Sequence, residues 1–253
     1  ETRGVSDVVS WFSSYVDKLC ESPVPETPED ERRFAALLAS ILEDNTNVVR
    51  TLGGSVLEVR EAMGPGAYEE VRNEVDFILD RFFIKRIGLR FLLSHHIESA
   101  VERPGASGII HSNVAVGPAL RRSAKEAQDL CRKRYGLAPE VEVVGDGPGG
   151  PIAVPGSMPD ADLMHDRSFT YVPSHLHFSC SVLLQNACFA VAQRHGHGDR
   201  PMPAVRAIFA YGEEEVAVKV SDEGGGIPRS EIPLAWSYFS SPGLSDGQVR
   251  GHR

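Results

Sequence analysis

Asp222 closes a run, V-A-V-K-V-S from Val216 to Ser221, in which Val216, Val218 and Val220 alternate with other residues as in a half-buried strand. Gly224, Gly225 and Gly226 follow almost at once. Without a Cβ these positions can take positive φ and let a flat or anionic ligand lie against the backbone, while Asp222 offers a fixed acceptor at the sheet edge. A tight turn after a strand would use the same residues. A second stretch, Y-V-P-S-H-L-H-F-S-C-S-V-L-L-Q-N-A-C-F-A-V-A-Q-R-H-G from Tyr171 to Gly196, reads as a helix. Pro173 and Ser174 suit its start and Gly196 its end, and Leu176, Leu183, Leu184, Ala187, Ala190 and Val191 recur at helical spacing. Asn186 interrupts that apolar pattern. A buried amide is costly unless paired, so it calls for a backbone group, a water or a bound cation.

Other candidates are weaker. His175, His177, His195 and His197 form two H-x-H pairs without accompanying Cys or acidic ligands, and zinc is not expected from them. The four cysteines make no disulfide framework in 253 residues. Cys180 and Cys188, eight apart on one helix, are separated by about 12 Å along its axis, too far for a bridge. A formal charge of −9 leaves no basic excess to neutralise phosphates, which argues against a nucleic-acid or membrane-surface role. Arg121-Arg122 and Arg132-Lys133-Arg134 read as solvated helix faces. No run of eighteen apolar residues occurs, so no membrane insertion is expected. The chain starts at Glu1 without Met, so a removed targeting segment would not be visible.

The elements that must position these residues fall into two domains. From Gly4 to about Ala100 only helices are expected. Their stripes are Val5, Val8, Val9, Phe12, Val16 and Leu19; Phe34, Leu37, Leu38, Ile41 and Leu42 after a Thr27-Pro28 start; Val48, Val49, Leu52, Val56 and Val59, weakened by Gly53-Gly54; and Val71, Val75, Ile78, Leu79, Phe82, Ile87, Phe91 and Leu92 on a long fourth helix from Tyr68 to Ala100. This pattern predicts a four-helix bundle over 1–101. Arg103-Pro104-Gly105-Ala106-Ser107 breaks the pattern. Beyond it a helix is expected over Val116–Tyr135, with strands at Glu140–Val144, Phe169–Val172, Ala204–Tyr211 and Glu215–Val220. The glycine- and proline-rich stretch within 145–167 reads as a flexible insertion. The second domain, 108–253, is therefore expected to be an α/β sandwich with its helices on one sheet face.

Asn186-Ala187 on a helix, followed by Asp222-Glu223-Gly224-Gly225-Gly226, resembles the Asn box and first glycine box of the gyrase/histidine-kinase ATP-binding superfamily. Within it the chain resembles the mitochondrial kinases of the branched-chain α-ketoacid and pyruvate dehydrogenase complexes. L-D-R-F-F-I-K-R-I-G-L-R at Leu79–Arg90, N-V-V-R-T-L at Asn47–Leu52, Y-V-P-S-H-L at Tyr171–Leu176, Gly212-Glu213-Glu214 and S-Y-F-S-S at Ser237–Ser241 extend the likeness over most of the chain. The resemblance implies a Bergerat-type ATP-binding sandwich after the bundle. It gives Asp222 the hydrogen bond to the adenine amine, Gly224 and Gly226 the room for base and ribose, and Asn186 a magnesium ion that bridges the phosphates of ATP. No Walker, H-R-D or D-F-G motif suggests another nucleotide site. His95-His96 follows D-R-F-F-x-x-R, the form found in the dehydrogenase kinases, and is not expected to accept phosphate.

Two departures stand against these matches. Where the family carries a general-base glutamate, four residues before the asparagine, this chain has Val182. Phe178 stands where a histidine assists that base, and Gln185 replaces the usual lysine. A valine cannot accept a proton, and losing a general base costs about a hundredfold to ten-thousandfold. The second departure is that no second glycine box follows Ser241, from which an incomplete chain is expected. The resemblance implies a protein-serine kinase acting on the decarboxylase component of an α-ketoacid dehydrogenase complex. It also implies docking to the complex's lipoyl-bearing core, a homodimer and the mitochondrial matrix. The alternatives are a pseudokinase that binds ATP as a regulatory ligand, indicated by Val182 and Phe178, and a docking module for which nucleotide is incidental.

Overall fold

A computed structural model describes residues 2–147, 150–152, 169–196, 201–212 and 215–238. They divide into two compact units, one built from 1–101 together with the segment from Ile227, the other from 102–226.

Four helices make up the first unit: α1 (Arg3–Glu21), α2 (Pro28–Asp44), α3 (Val48–Met63) and α4 (Pro65–Ser99). Thr27 starts α2 with a reciprocal cap: its hydroxyl accepts from the Asp30 amide at 3.2 Å and its own amide donates to the Asp30 carboxylate at 3.1 Å. Gly64, at φ 77°, lets the chain turn from α3 directly into α4, where Pro65 fits the first turn. Two apolar clusters bind the helices together. Val8, Val48, Leu52 and Leu79 form one with Phe12, Phe82 and Phe83; Tyr15, Leu38, Ile41 and Leu93 form the other with Phe34 and Leu89. The expected weakening at Gly53-Gly54 does not break α3, because Gly53 is buried and α3 packs against α1. Packing here outweighs a propensity cost of about 1 kcal/mol per glycine.

The second unit holds a sheet of order β4-β3-β6-β7 and a smaller one of order β1-β2-β5. Its strands are β1 (Ala106–Ser107), β2 (Ile110–Val114), β3 (Val141–Gly147), β4 (Gly150–Ile152), β5 (Phe169–Tyr171), β6 (Val205–Tyr211) and β7 (Val216–Ser221). Helices α5 (Val116–Tyr135) and α6 (Pro173–His195) pack on one another and on the larger sheet. On β6, Val205, Ala207 and Phe209 point into that core while Arg206 and Ile208 are exposed, the period-two alternation of a sheet covered on one face. Leu120, Ala127, Leu184, Cys188 and Val191 fill the helix side of the same core.

Three expectations change. The stretch 145–167 does not start as an irregular loop: β3 continues to Gly147 and pairs with β4, Gly145 opposite Ile152 and Gly147 opposite Gly150. The Phe209 ring occupies the space a Gly145 side chain would need, so this glycine serves packing. The rest of that stretch, 153–168, lies outside the described residues. The break expected at 103–107 does end the helical pattern, but strands β1 and β2, which were not expected, follow it. The segment from Ile227, assigned by sequence to the second domain, clusters with the helical unit. Ser237 donates to Asp76 at 2.7 Å, the Tyr238 hydroxyl donates to Asp80 at 2.6 Å, and the Tyr238 ring stacks on Phe83. The residues after Ser241, where no second glycine box was found, lie outside the described residues. Among the described residues no helix is long and apolar enough to cross a membrane.

All four cysteines are free; Cys20 is exposed, while Cys131, Cys180 and Cys188 are buried. Burial pushes the Cys188 thiol up to about 12, and raises those of Cys131 and Cys180 as well. A thiol reagent at pH 8 is therefore expected to modify Cys20 alone in the native protein, and all four after denaturation. Mass spectrometry of the labelled peptides checks this.

Candidate functional site

Helix α6 buries Cys180, Leu184, Cys188 and Val191 and turns another face outward. Along that face residues four apart form one row, about 6 Å between successive positions: Phe178, Val182, Asn186, Ala190 and Arg194. Phe178 is 69% exposed and Val182 39%. Asn186 is exposed too, so the burial assumed from its apolar neighbours does not hold. Among the described residues its amide has no hydrogen-bond partner, which leaves its oxygen free for a ligand.

Strand β7 delivers Asp222 to the same row. Gly224 lies so close to Ala190 that any side chain at 224 would overlap it, and the Arg194 guanidinium covers Gly225. The loop between them is shaped by its own groups. Asp222 Oδ1 accepts the Gly224 amide at 2.8 Å, and Gly225 and Gly226 take φ of 105° and 71°. The turn-forming and ligand-binding readings of Asp222 are thus compatible, since one carboxylate oxygen shapes the loop and the other stays available. The His195 ring lies 3.0 Å from the Glu223 carbonyl. Gly226, by contrast with Gly224, has open space where a side chain would project.

The amide, the carboxylate and the glycines therefore converge on the outer row of α6, and Val182 and Phe178 continue that row toward its N-terminus. No carboxylate stands at 182. The histidines are placed separately. His177 Nδ1 contacts the buried Ser123 hydroxyl at 3.0 Å and its Nε2 contacts Glu126 at 3.1 Å; Ser181 donates to Ser123 at 3.1 Å, so a polar chain crosses between α5 and α6. His197 lies outside the described residues. In the helical unit His96 contacts Glu31 at 2.8 Å and His95 stacks on Phe91. Among the described residues no group of three His, Cys, Asp or Glu could hold a metal ion.

Sequence reasoning missed Arg194 and weighed His195 only as a metal ligand. The i, i+4 continuation from Asn186 through Ala190 to Arg194 could have indicated the first; the contact of His195 with a backbone carbonyl leaves no mark in side-chain types.

Residues 1–111 match the family model described as mitochondrial branched-chain alpha-ketoacid dehydrogenase kinase. The chain is 31% identical to the mitochondrial [pyruvate dehydrogenase (acetyl-transferring)] kinase of Arabidopsis thaliana, over 94% of this chain and 59% of that protein. It is 33% identical to the corresponding kinase of Schizosaccharomyces pombe, over 84% of this chain and 46% of that one. Identity to the human isozyme 3 is 28%, over 92% of this chain and 56% of that protein. Over nearly its whole length the chain is thus similar to mitochondrial dehydrogenase kinases. It spans about half the length of the curated relatives it matches.

The close approach of β7's loop to α6 gives a direct test. Gly224→Ala is expected to lower the unfolding free energy by about 1–3 kcal/mol, as other over-packing substitutions do. Ala190→Gly in the same chain should recover part of it. Urea unfolding of both variants measures the difference.

Proposed function

We propose that this chain binds ATP with magnesium and is the nucleotide-binding part of a protein-serine kinase acting on the decarboxylase component of an α-ketoacid dehydrogenase complex. The observation that carries the reading is the packing of Gly224 on Ala190, one helical turn from Asn186, whose amide has no hydrogen-bond partner among the described residues; this packing puts the two boxes of the resemblance side by side. In this reading the second unit is a Bergerat-type sandwich. The helical unit is a four-helix bundle that docks the lipoyl-bearing core and holds the protein substrate. The protein works as a homodimer in the mitochondrial matrix.

The residues fit the ligand. Asp222 has an oxygen left over from its own loop with which to accept from an adenine amine. Gly226 leaves room beside it, and Asn186 supplies one neutral oxygen. Magnesium suits such a site because it keeps several waters and takes most of its protein-side needs from one or two side chains plus phosphate oxygens. When bound, it neutralises charge on the phosphates. The chain's own task is to fix the base through Asp222, to orient the triphosphate along the α6 row, and to keep the reacting end of that row ordered.

A second reading follows from Val182. The residue is partly exposed on the reacting row, one turn from Asn186, and its isopropyl group can neither accept nor relay a proton. Phe178, a turn further on, offers no replacement. ATP would then act as a bound regulatory ligand, with transfer slow or absent.

Two variants separate these readings. Asp222→Ala should abolish ATP binding measured by calorimetry; unchanged binding would leave only the docking role. Val182→Glu should raise transfer of radiolabelled phosphate by about a hundredfold to ten-thousandfold if the missing base alone limits the reaction. Binding in both proteins with transfer only in the glutamate variant would establish the regulatory reading for the natural chain.

A further inference from the structure

We propose that His195 is a positioning residue for Asp222, acting through a single peptide group of the glycine loop. The inference rests on the reading of Asp222 as the adenine-recognising carboxylate. The Glu223–Gly224 peptide is held at both ends. Its carbonyl oxygen lies 3.0 Å from His195 Nε2, and its N–H donates to Asp222 Oδ1 at 2.8 Å. A carbonyl only accepts, so Nε2 carries the proton in this contact. Because the peptide is planar, fixing the direction of the carbonyl fixes the direction of the N–H on the other side of the same plane. The N–H in turn holds Oδ1, and with it the orientation of the whole carboxylate.

Apart from the packing of Gly224 on Ala190, the loop backbone has few other hydrogen bonds among the described residues. Gly225 and Gly226 both sit at positive φ and carry no side chain to anchor them. Left alone, such a segment samples many conformations, and a carboxylate hinged on it would meet its ligand in only a fraction of them. His195 is well placed to restrict it: it is the last residue of α6, whose buried face is locked in the core by Val191 and Ala192. Arg194, the residue before it, lies over Gly225. The C-terminal turn of the helix that bears Asn186 therefore also orders Asp222, so one rigid element sets both groups.

The test uses the full chain and two readouts. His195→Ala should weaken ATP binding about fivefold, the consequence of losing one hydrogen bond. In the nucleotide-free protein it should speed amide exchange at Gly224 by a similar factor, with exchange in β7 unchanged. His195→Gln, which retains an N–H donor, should restore both. Unaltered exchange at Gly224 in His195→Ala would overturn the proposal. So would a glutamine variant as defective as alanine, since the ring would then be serving only as packing. If the exchange pattern holds while the natural chain binds no adenine nucleotide, the tether stands and the nucleotide reading falls.

Discussion

A loop without side chains can approach a helix more closely than any other loop, and the second unit depends on that approach at Gly224. The contact with Ala190 needs two small residues facing each other, one at the end of β7 and one on the outward row of α6. A Cβ at 224 would push the loop outward and take Asp222 with it. The core beneath is ordinary, with leucine, valine, alanine and buried thiols between two helices and a sheet. What distinguishes the unit is that its edge is shaped as tightly as its centre. Two groups distant in sequence, a carboxamide and a carboxylate, are thereby held on one surface.

The same row exposes a chemical discontinuity. From Arg194 to Asn186 its residues are suited to a polar ligand, and from Val182 to Phe178 they are apolar. In the proposed reading a nucleotide would be bound at one end, while neither Val182 nor Phe178 at the other end can handle a proton. A site of this kind separates occupancy from turnover. Under the proposed reading its occupancy would be governed by Asp222 and Asn186, whereas any turnover would rely on positioning and charge neutralisation alone.

Much of this was legible in the sequence. Helix boundaries were readable wherever the punctuation was chemical: Thr27-Pro28 at the start of α2 and Pro173 at the start of α6 each act through local backbone preferences. Asp222 and the glycines stood out because the residue types are unusual for a strand end. The small strands did not. Ile110–Val114 reads I-H-S-N-V, with no alternation to signal a sheet, and Gly150–Ile152 forms a strand only because β3 offers it an edge. Asn186 was noticed, but its exposure was misjudged, since apolar neighbours in sequence do not determine which face of a helix a sheet will cover. The segment from Ile227 was assigned by its position in the chain; side-chain hydrogen bonds to Asp76 and Asp80, which sequence does not announce, place it with the helices.

The polar chain from Glu126 through His177 and Ser123 to Ser181 works as an index mark in an otherwise greasy interface. Leucine against alanine tolerates sliding; a hydroxyl enclosed between two helices does not, because it has partners at one setting only. Moving α5 past α6 by one turn, about 5.4 Å, would strand Ser123 without a mate. The two helices are thus keyed to a single alignment, and the outward row of α6 inherits its height above the sheet from that key.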